Sequence, residues 1–383
     1  MKLRITASII IFLSIYGGIS AYIGWNGWLF LSEISGLEQS ATYTILIIIL
    51  ALAYLIGRAT QSTWLRPIAE LLKLIGSYWF AIVQFGVLLL PVANITALLL
   101  KWAGVSKEIY LIGVGGAVLL LLLGILLLGS RNAWSPVIRH YEATIAKSAG
   151  NRDSLRIAMA SDLHLGTVID NNHIDRLVAK VNEIKPDIIL LPGDILDDDL
   201  TPFLQKGMSA KLGQLKAPLG VFAVTGNHEY IGKKVPEFVK TLEAIGIRVL
   251  MDETVVIDDS FIIIGRKDKA AASFGVNGRK SIVDLLAPLD TTLPLIMLDH
   301  QPSDIIVASD NGIDLSLSGH THRGQMMPNH LITKRIFPLD FGYKRIKNLN
   351  AFVSSGFGFW GPPIRIGSRS EVLHIEVKFD ASK

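Results

Sequence analysis

Four long stretches almost free of charge occupy the first 130 residues, and they limit the fold more than any other feature of the chain. Ile5 to about Trp25, Leu74–Leu100 and Ile109–Gly129 are each long enough, as helices, to cross a hydrocarbon layer about 30 Å thick, and Ala41–Gly57 is a shorter apolar stretch of the same kind. In lipid every backbone N–H and C=O has to be satisfied within its own segment, so such stretches are read as helices. The last is the most apolar and contains the run Val118-Leu119-Leu120-Leu121-Leu122-Leu123; Pro91 inside the third predicts a kink. A cleaved leader ending near Ser20-Ala21 is the alternative for the first stretch, since Lys2 and Arg4 precede it. Three further spans downstream favour an uncleaved first helix.

Loop charges give these helices an orientation. The segment near residues 27–42 has no Lys or Arg, and the 101–108 segment has only Lys101 and Lys107. The other side collects Lys2, Arg4, Arg58, Arg66, Lys73, Arg131, Arg139 and Lys147. The positive-inside rule places that set, both termini and everything after residue 130 in the cytoplasm. The expectation is an integral protein of a bacterial inner or cell membrane, in contact with the lipid bilayer. Trp134 and Tyr141 suit an interfacial belt, although Trp134 could equally pack on a globular domain.

The remainder is different in kind. Residues 1–150 carry 10 Lys/Arg against 5 Asp/Glu, whereas residues 151–383 carry 27 against 28. A near-neutral second part argues against nucleic acid as a partner, which needs a clustered basic face. The absence of cysteine excludes disulfides and thiolate metal sites. Oligomeric state is not legible. The apolar runs 155–160, 188–191, 221–224, 295–298 and 313–317 read as strands, with a hairpin over 254–264 turning at Asp258-Asp259. Ile174, Leu177, Val178, Val181 and Ile184 recur at helical spacing, as do Val235, Phe238, Val239, Leu242 and Ile245. This rhythm indicates a layered α/β domain. Its boundary is expected near Ala149-Gly150-Asn151, giving a membrane anchor with a juxtamembrane joint over 1–150 and a globular domain over 151–383.

Each of five apolar runs leads directly into residues that ligate divalent metals. These are Asp162 and His164, Gly193-Asp194, Gly226-Asn227-His228-Glu229, Asp299-His300, and Gly319-His320-Thr321-His322. Ligands bind α/β sheets beyond the carboxyl ends of strands, and Gly193 lets the backbone turn to deliver Asp194 there. In Asp162-x-His164 and His320-x-His322, residues two apart in an extended segment would share one side.

In order and spacing these segments resemble the five blocks of the calcineurin-like metallophosphoesterases, over roughly residues 155–375. The run Gly319–Gln325, and Ser354-Ser355-Gly356 followed by Trp360-Gly361-Pro362-Pro363, resemble more closely the bacterial membrane-anchored branch. The resemblance implies a β-sandwich flanked by helices that holds two divalent metal ions. One ion would be bound by Asp162, His164, Asp194 and His322, the other by Asp194, Asn227, His300 and His320, with Asp194 bridging. Iron and zinc are both used in the family; the oxygen and imidazole donors, without thiolate, favour manganese. The implied activity is hydrolysis of a phosphoester or pyrophosphate by a hydroxide between the metals, with His228 protonating the leaving oxygen and Asp197 orienting His228. Arg323 and Gln325, just past the last ligands, are expected to touch substrate phosphate. Phe357, Phe359 and Trp360 either meet the bilayer or cover the sheet edge. Arg266, Lys267 and Lys269 read as a solvated loop.

The expected protein is thus a membrane-anchored phosphohydrolase acting on a phosphodiester or pyrophosphate, with an amphiphilic substrate giving the anchor its purpose. A non-catalytic scaffold of the same fold is the alternative, but such scaffolds lose ligands or the catalytic histidine, and here all are present. A transporter or sensor would need paired charges within the spans, where only Glu70 and Lys73 come close to central.

Overall fold

The computed structural model describes residues 2–38, 40–60, 64–275 and 278–380. The side chains of Lys2 and Arg4, from the basic set above, lie outside the described residues. Among them, four helices are long and apolar enough to cross a membrane. They are α1 (Lys2–Ser35), α2 (Ala41–Thr60), α3 (Arg66–Trp102) and α4 (Lys107–Trp134). Each outruns its apolar stretch, because a helix continues until a residue stops it: Gly36 and Gly104, both at positive φ, follow α1 and α3. Helix α3 runs on through Pro91. Small residues let α2 and α3 close up, since a Cβ at Gly76 would meet the Tyr54 backbone nitrogen at 2.2 Å. Of the two near-central charges, Glu70 pairs with Arg66 at 3.1 Å and Lys73 is buried. The helices through Ser130 form one compact unit together with Gly361–Ile364, and the remaining residues form a second.

The second unit is a sandwich of two six-stranded sheets. The first runs β1 (Val137–Ile145), β12 (Glu371–Phe379), β2 (Ser154–Met159), β3 (Ile188–Pro192), β4 (Val221–Val224), β5 (Ile247–Val249). The second runs β10 (Gly342–Ile346), β11 (Leu349–Val353), β9 (Leu315–Ser318), β8 (Leu295–Leu298), β7 (Phe261–Gly265), β6 (Glu253–Ile257). Strands β2, β3 and β4 are parallel neighbours, and so are β8 and β9, so all five present their carboxyl ends in common within each sheet. Between the sheets lie Ile157, Leu190, Val224, Leu298, Leu317 and Phe352, all buried. Each such side chain contributes about 1.5–3 kcal/mol on burial. The helix Asn171–Ile184 covers the outer face of the first sheet through Ile174, Leu177 and Val181, as their spacing predicts.

One boundary differs from the sequence reading. Val137–Ile145, assigned there to the joint within 1–150, is strand β1 and pairs in parallel with β12 along its whole length. Its Tyr141, Ala143 and Ile145 alternate toward the inter-sheet core, but the strand starts only two residues after α4 and so merges with the anchor when read as sequence. Tyr141 accordingly stacks edge-on against Phe352 at 5.4 Å and belongs to the core, not to an interfacial belt. Trp134 packs edge-on against Phe359 at 4.9 Å, the second of its two readings.

Candidate metal centre

Three of the five strand ends, those after β2, β3 and β9, turn sharply through left-handed residues. The φ angles are 53° at Asp162, 46° at His164, 50° at Asp194, 70° at His320 and 47° at His322. Residues with a Cβ avoid this left-handed region, at a cost on the order of 1–3 kcal/mol each, and such strain concentrates at functional sites. The Asp162-x-His164 and His320-x-His322 segments are therefore turns, not the extended pairs expected from sequence. Glycine is needed where two ligand loops press together: a Cβ at Gly226 would lie 2.1 Å from Asp194 Oδ1, and one at Gly319 would lie 2.2 Å from Asp162 Oδ2.

The turns bring the side chains into groups whose ligand atoms converge. Asp162, His164 and His322 form one group, Asp194, His300 and His320 another, and His164, Asp194 and His228 a third between them. Nε2 of His164 and Nε2 of His322 are 3.0 Å apart, and His322 Nε2 is 3.5 Å from Asp162 Oδ1. In the other group His300 Nε2 stands 3.0 Å from Asp194 Oδ2, and His320 Nδ1 is 2.9 Å from Asn227 Oδ1. Two nitrogens bound at a right angle to one ion, each about 2.1 Å away, are themselves about 3.0 Å apart. His300 Nε2 and Asp194 Oδ2 are both buried and close enough for one ion to engage both atoms. The donors fit divalent metal ions, and oxygen and imidazole nitrogen without sulfur is the set expected for manganese, iron or zinc.

Protonation at three of the four histidines agrees with that fit, since a ligand must offer a lone pair. Burial, with His228 nearby, lowers His164 to about 3, and burial, with His300 nearby, lowers His320 to about 4. Burial and His164 hold His322 well below the ordinary value. Burial pushes against ionisation of Asp194, yet His300, His228 and His164 hold its carboxyl well below the usual range. Asp162 is raised to about 6 by burial and by the Asp194 charge, which His300 offsets in part. The centre thus sets neutral imidazoles at His164, His320 and His322 beside the Asp194 carboxylate. At His300 burial opposes the charged ring, but Asp194, Asp162 and Asp268 outweigh it and hold the ring well above the ordinary value, so metal binding there would displace a proton.

Other residues fix the ligands in place, and the sequence reading gave several of them no part. The His300 Nδ1–H donates to the Pro192 carbonyl at 2.9 Å, which leaves Nε2 for the centre. Asp299 is held by Arg266 and Arg279, each at 2.8 Å, so Arg266 is a buried strut behind His300 and not part of a solvated loop. Glu229 accepts from the backbone N–H groups of Gly226 at 2.6 Å, Leu196 at 2.9 Å and Asp194 at 3.2 Å, tying two ligand loops together. Arg365 is fully buried; its guanidinium lies 3.2 Å from His322 Nδ1 and donates to the carbonyls of Gly356 and Gly358. Burial lowers its pKa to about 10, still charged at neutrality. The G-N-H-E run hinted at Glu229; nothing local marked Arg365.

The remaining expected residues divide. His228 Nδ1 is 2.7 Å from Asp198 Oδ1 but 4.0 Å from Asp197 Oδ1, so the partner nearest the imidazole is Asp198 and not Asp197. The Asp197 N–H is taken by the Leu165 carbonyl, its Cβ lies against Gly166, and the left-handed Asp198 (φ 58°) swings the next carboxylate to the ring instead. Burial opposes charge on His228, but Asp198, Asp194 and Asp197 raise it to about 9. Arg323 is half-buried beside the His320–His322 turn, its guanidinium 4.4 Å from the Phe341 ring centre. Gln325 is buried, and its amide pairs with both the N–H and the C=O of Trp360, a loop-holding role instead of a phosphate contact. Phe357 and Phe359 are core residues; Trp360 is exposed.

Comparison with known proteins agrees with this geometry. The calcineurin-like phosphoesterase family model matches residues 155–324. A "transmembrane protein with metallophosphoesterase domain" from Danio rerio is 31% identical over 256 residues, covering 64% of this chain and 58% of that one. Its namesake from Bos taurus is 30% identical over 260 residues, covering 63% and 57%. An uncharacterized metallophosphoesterase of Aquifex aeolicus is 33% identical over 227 residues, covering 58% of this chain and 85% of its own length. The chain thus spans less than two thirds of the two vertebrate relatives. With the ligand residues brought together at five strand ends, and a bacterial relative matched over most of its length, the chain belongs to the calcineurin-like metallophosphoesterase family.

Proposed function

We propose that the protein is a membrane-anchored dinuclear metallophosphohydrolase that cleaves a phosphodiester or pyrophosphate bond in a lipid-linked or other small amphiphilic substrate. The observation that carries this reading is the convergence of buried Asp and His ligand atoms from both sheets on adjoining points. Asp162, His164, Asp194 and His322 would hold one divalent ion, and Asp194, Asn227, His300 and His320 would hold the other, with Asp194 common to both sets and manganese the favoured metal. Two such ions supply a lowered pKa for water and positive charge for phosphoryl oxygens.

The chain's own residues do the rest. His228, held at Nδ1 by Asp198, keeps a proton on Nε2 for the departing oxygen. Arg323 offers a fork of donors to a phosphate, oriented by its stacking on Phe341. Four membrane helices keep the site among lipids, where amphiphilic substrates are concentrated. The basic loop set argues for a cytoplasmic catalytic unit, and a reporter fused after Lys383 that is active outside the cell would contradict that.

The reading is tested with full-length protein in lipid vesicles and a panel of lipid-linked and soluble phosphoesters. Chelator-sensitive turnover with preference for lipid-borne diesters or pyrophosphates is expected; preference for soluble nucleotides or phosphoproteins would defeat the substrate assignment.

A further inference from the structure

The segment between the last ligand turn and β11 exposes a surface that the reaction does not use. The helix His330–Ile336 buries none of its residues, and Leu331, Ile332 and Ile336 are 56%, 59% and 64% exposed. Met327, just before it, and Tyr343, just after it, are exposed as well. Scattered apolar residues on a surface need no explanation, but a helix that leaves all its aliphatic side chains in the open does.

Charge distinguishes the same segment. The segment 327–347 holds Lys334, Arg335, Lys344, Arg345 and Lys347 but only one acidic residue, Asp340, whose carboxylate accepts from the Thr333 hydroxyl at 2.8 Å. Among the described residues, Lys347 alone of the five has an acidic partner outside the segment, Asp310 at 2.7 Å. Residues 151–383 as a whole are nearly neutral, so positive charge is concentrated here. Aliphatic side chains interleaved with Lys and Arg are the chemistry of a bilayer interface, with apolar groups in the acyl boundary and cations on headgroup phosphates. Two copies of so basic a face would repel each other, which disfavours self-association through it.

The surface is also bound mechanically to the ligand turn. A Cβ at Gly324 would lie 2.5 Å from the backbone of Asn329 and His330. The Thr321 hydroxyl donates to the Asp340 carbonyl at 2.6 Å, and the His320 and Phe337 rings are 5.8 Å apart, edge to face. Whatever rests on this face lies next to the His320–His322 turn.

We propose that the helix His330–Ile336, with its flanking aliphatic and basic residues, docks on an anionic lipid bilayer and seats phosphate-bearing headgroups beside the ligand turn. What the docking serves rests on the phosphohydrolase reading; the docking itself does not.

The chain has no cysteine, so single cysteines introduced as Ile332→Cys and Ile336→Cys in the full-length protein can carry a fluorophore. Val283→Cys, also exposed but on another helix of the same unit, is the control. In vesicles containing phosphatidylglycerol and a spin-labelled quencher lipid, labels at 332 and 336 should be quenched about threefold more than at 283. That excess should vanish in phosphatidylcholine alone, in high salt, or with Lys334→Glu/Arg335→Glu. Equal quenching at all three positions overturns the proposal, as does crosslinking between copies through 332 without quenching. Chelator-sensitive hydrolysis of a soluble aryl phosphodiester is measured in the same vesicles. Hydrolysis without excess quenching defeats the docking alone, while excess quenching without hydrolysis supports the docking and defeats the phosphohydrolase reading.

Discussion

The His228 imidazole leans on Asp198 at 2.7 Å, with Asp197 left at 4.0 Å. A carboxylate at hydrogen-bond distance fixes the tautomer and ring orientation, and one at 4.0 Å acts only through its charge. Asp198→Asn should therefore lower turnover by about 10–100-fold, and Asp197→Asn by clearly less. Steady-state rates of the two variants at equal metal content decide between them; the reverse order would restore the pairing expected from sequence.

His228 itself should behave unlike the ligands. His228→Ala should keep its metal content and lose about 10²–10⁴ in rate, the usual contribution of a positioned acid. The loss should shrink for aryl esters with very acidic leaving groups, which need little protonation. A uniform loss across leaving groups, or an emptied centre, would count against a proton-donating role.

Arg365 is expected to act on the metal by bracing the Gly356–Gly358 loop against His322, since a guanidinium cannot accept the Nδ1 proton of an imidazole that ligates through Nε2. Its buried guanidinium spans from His322 Nδ1 to the carbonyls of the Gly356–Gly358 loop. Arg365→Met should weaken metal binding by about 10–100-fold, the typical effect of losing an outer partner of a ligand. Arg365→Lys should restore only part, because an ammonium lacks the planar fork that reaches several acceptors at once. Competition with a metal-chelating dye reads this directly, and unchanged affinity in both variants would refute it.

Acid should destabilise the fold partly through His173. Burial lowers this imidazole to about 4, against a partial opposing effect of the Phe357 carbonyl, while Arg176 lowers it further. Below pH 6.5 the unfolded chain takes up a proton that the native ring refuses. The stability is therefore whole above pH 6.5 and is lost as pH falls toward 4, on the order of 3 kcal/mol over that window at about 1.4 kcal/mol per unit. Thermal unfolding of His173→Gln in detergent should show a shallower decline than wild type between pH 7 and 4.5; parallel curves would exclude His173 as a contributor.

How much of this was legible beforehand follows from where each signal lies. Helices α1–α4 and strands β2, β3, β4 and β8 declare themselves through runs of apolar residues, and the ligands through their place just after those runs. Strand β1 was hidden because its alternation is short and begins beside a helix, and its partner β12 is over 200 residues away. Asp198 was missed because three consecutive aspartates give no clue to which one the backbone turns inward. Arg365 and Glu229 act through contacts made only after folding: a buried cation at the end of one loop and a carboxylate that gathers N–H groups from two others. Gln325 was misassigned for a related reason, since adjacency to a ligand in sequence does not show which way an amide faces in a turn.

Metal stoichiometry tests the account most directly. Elemental analysis of the full-length protein after saturation and removal of free metal should give about two divalent ions per chain, and Asp194→Asn, which touches both ligand groups, should retain less than about one. Turnover of an aryl phosphodiester should disappear on chelation and return with manganese. A wild-type protein that saturates at one ion, or one that keeps its turnover after its metal has been stripped, would contradict a dinuclear centre built around Asp194.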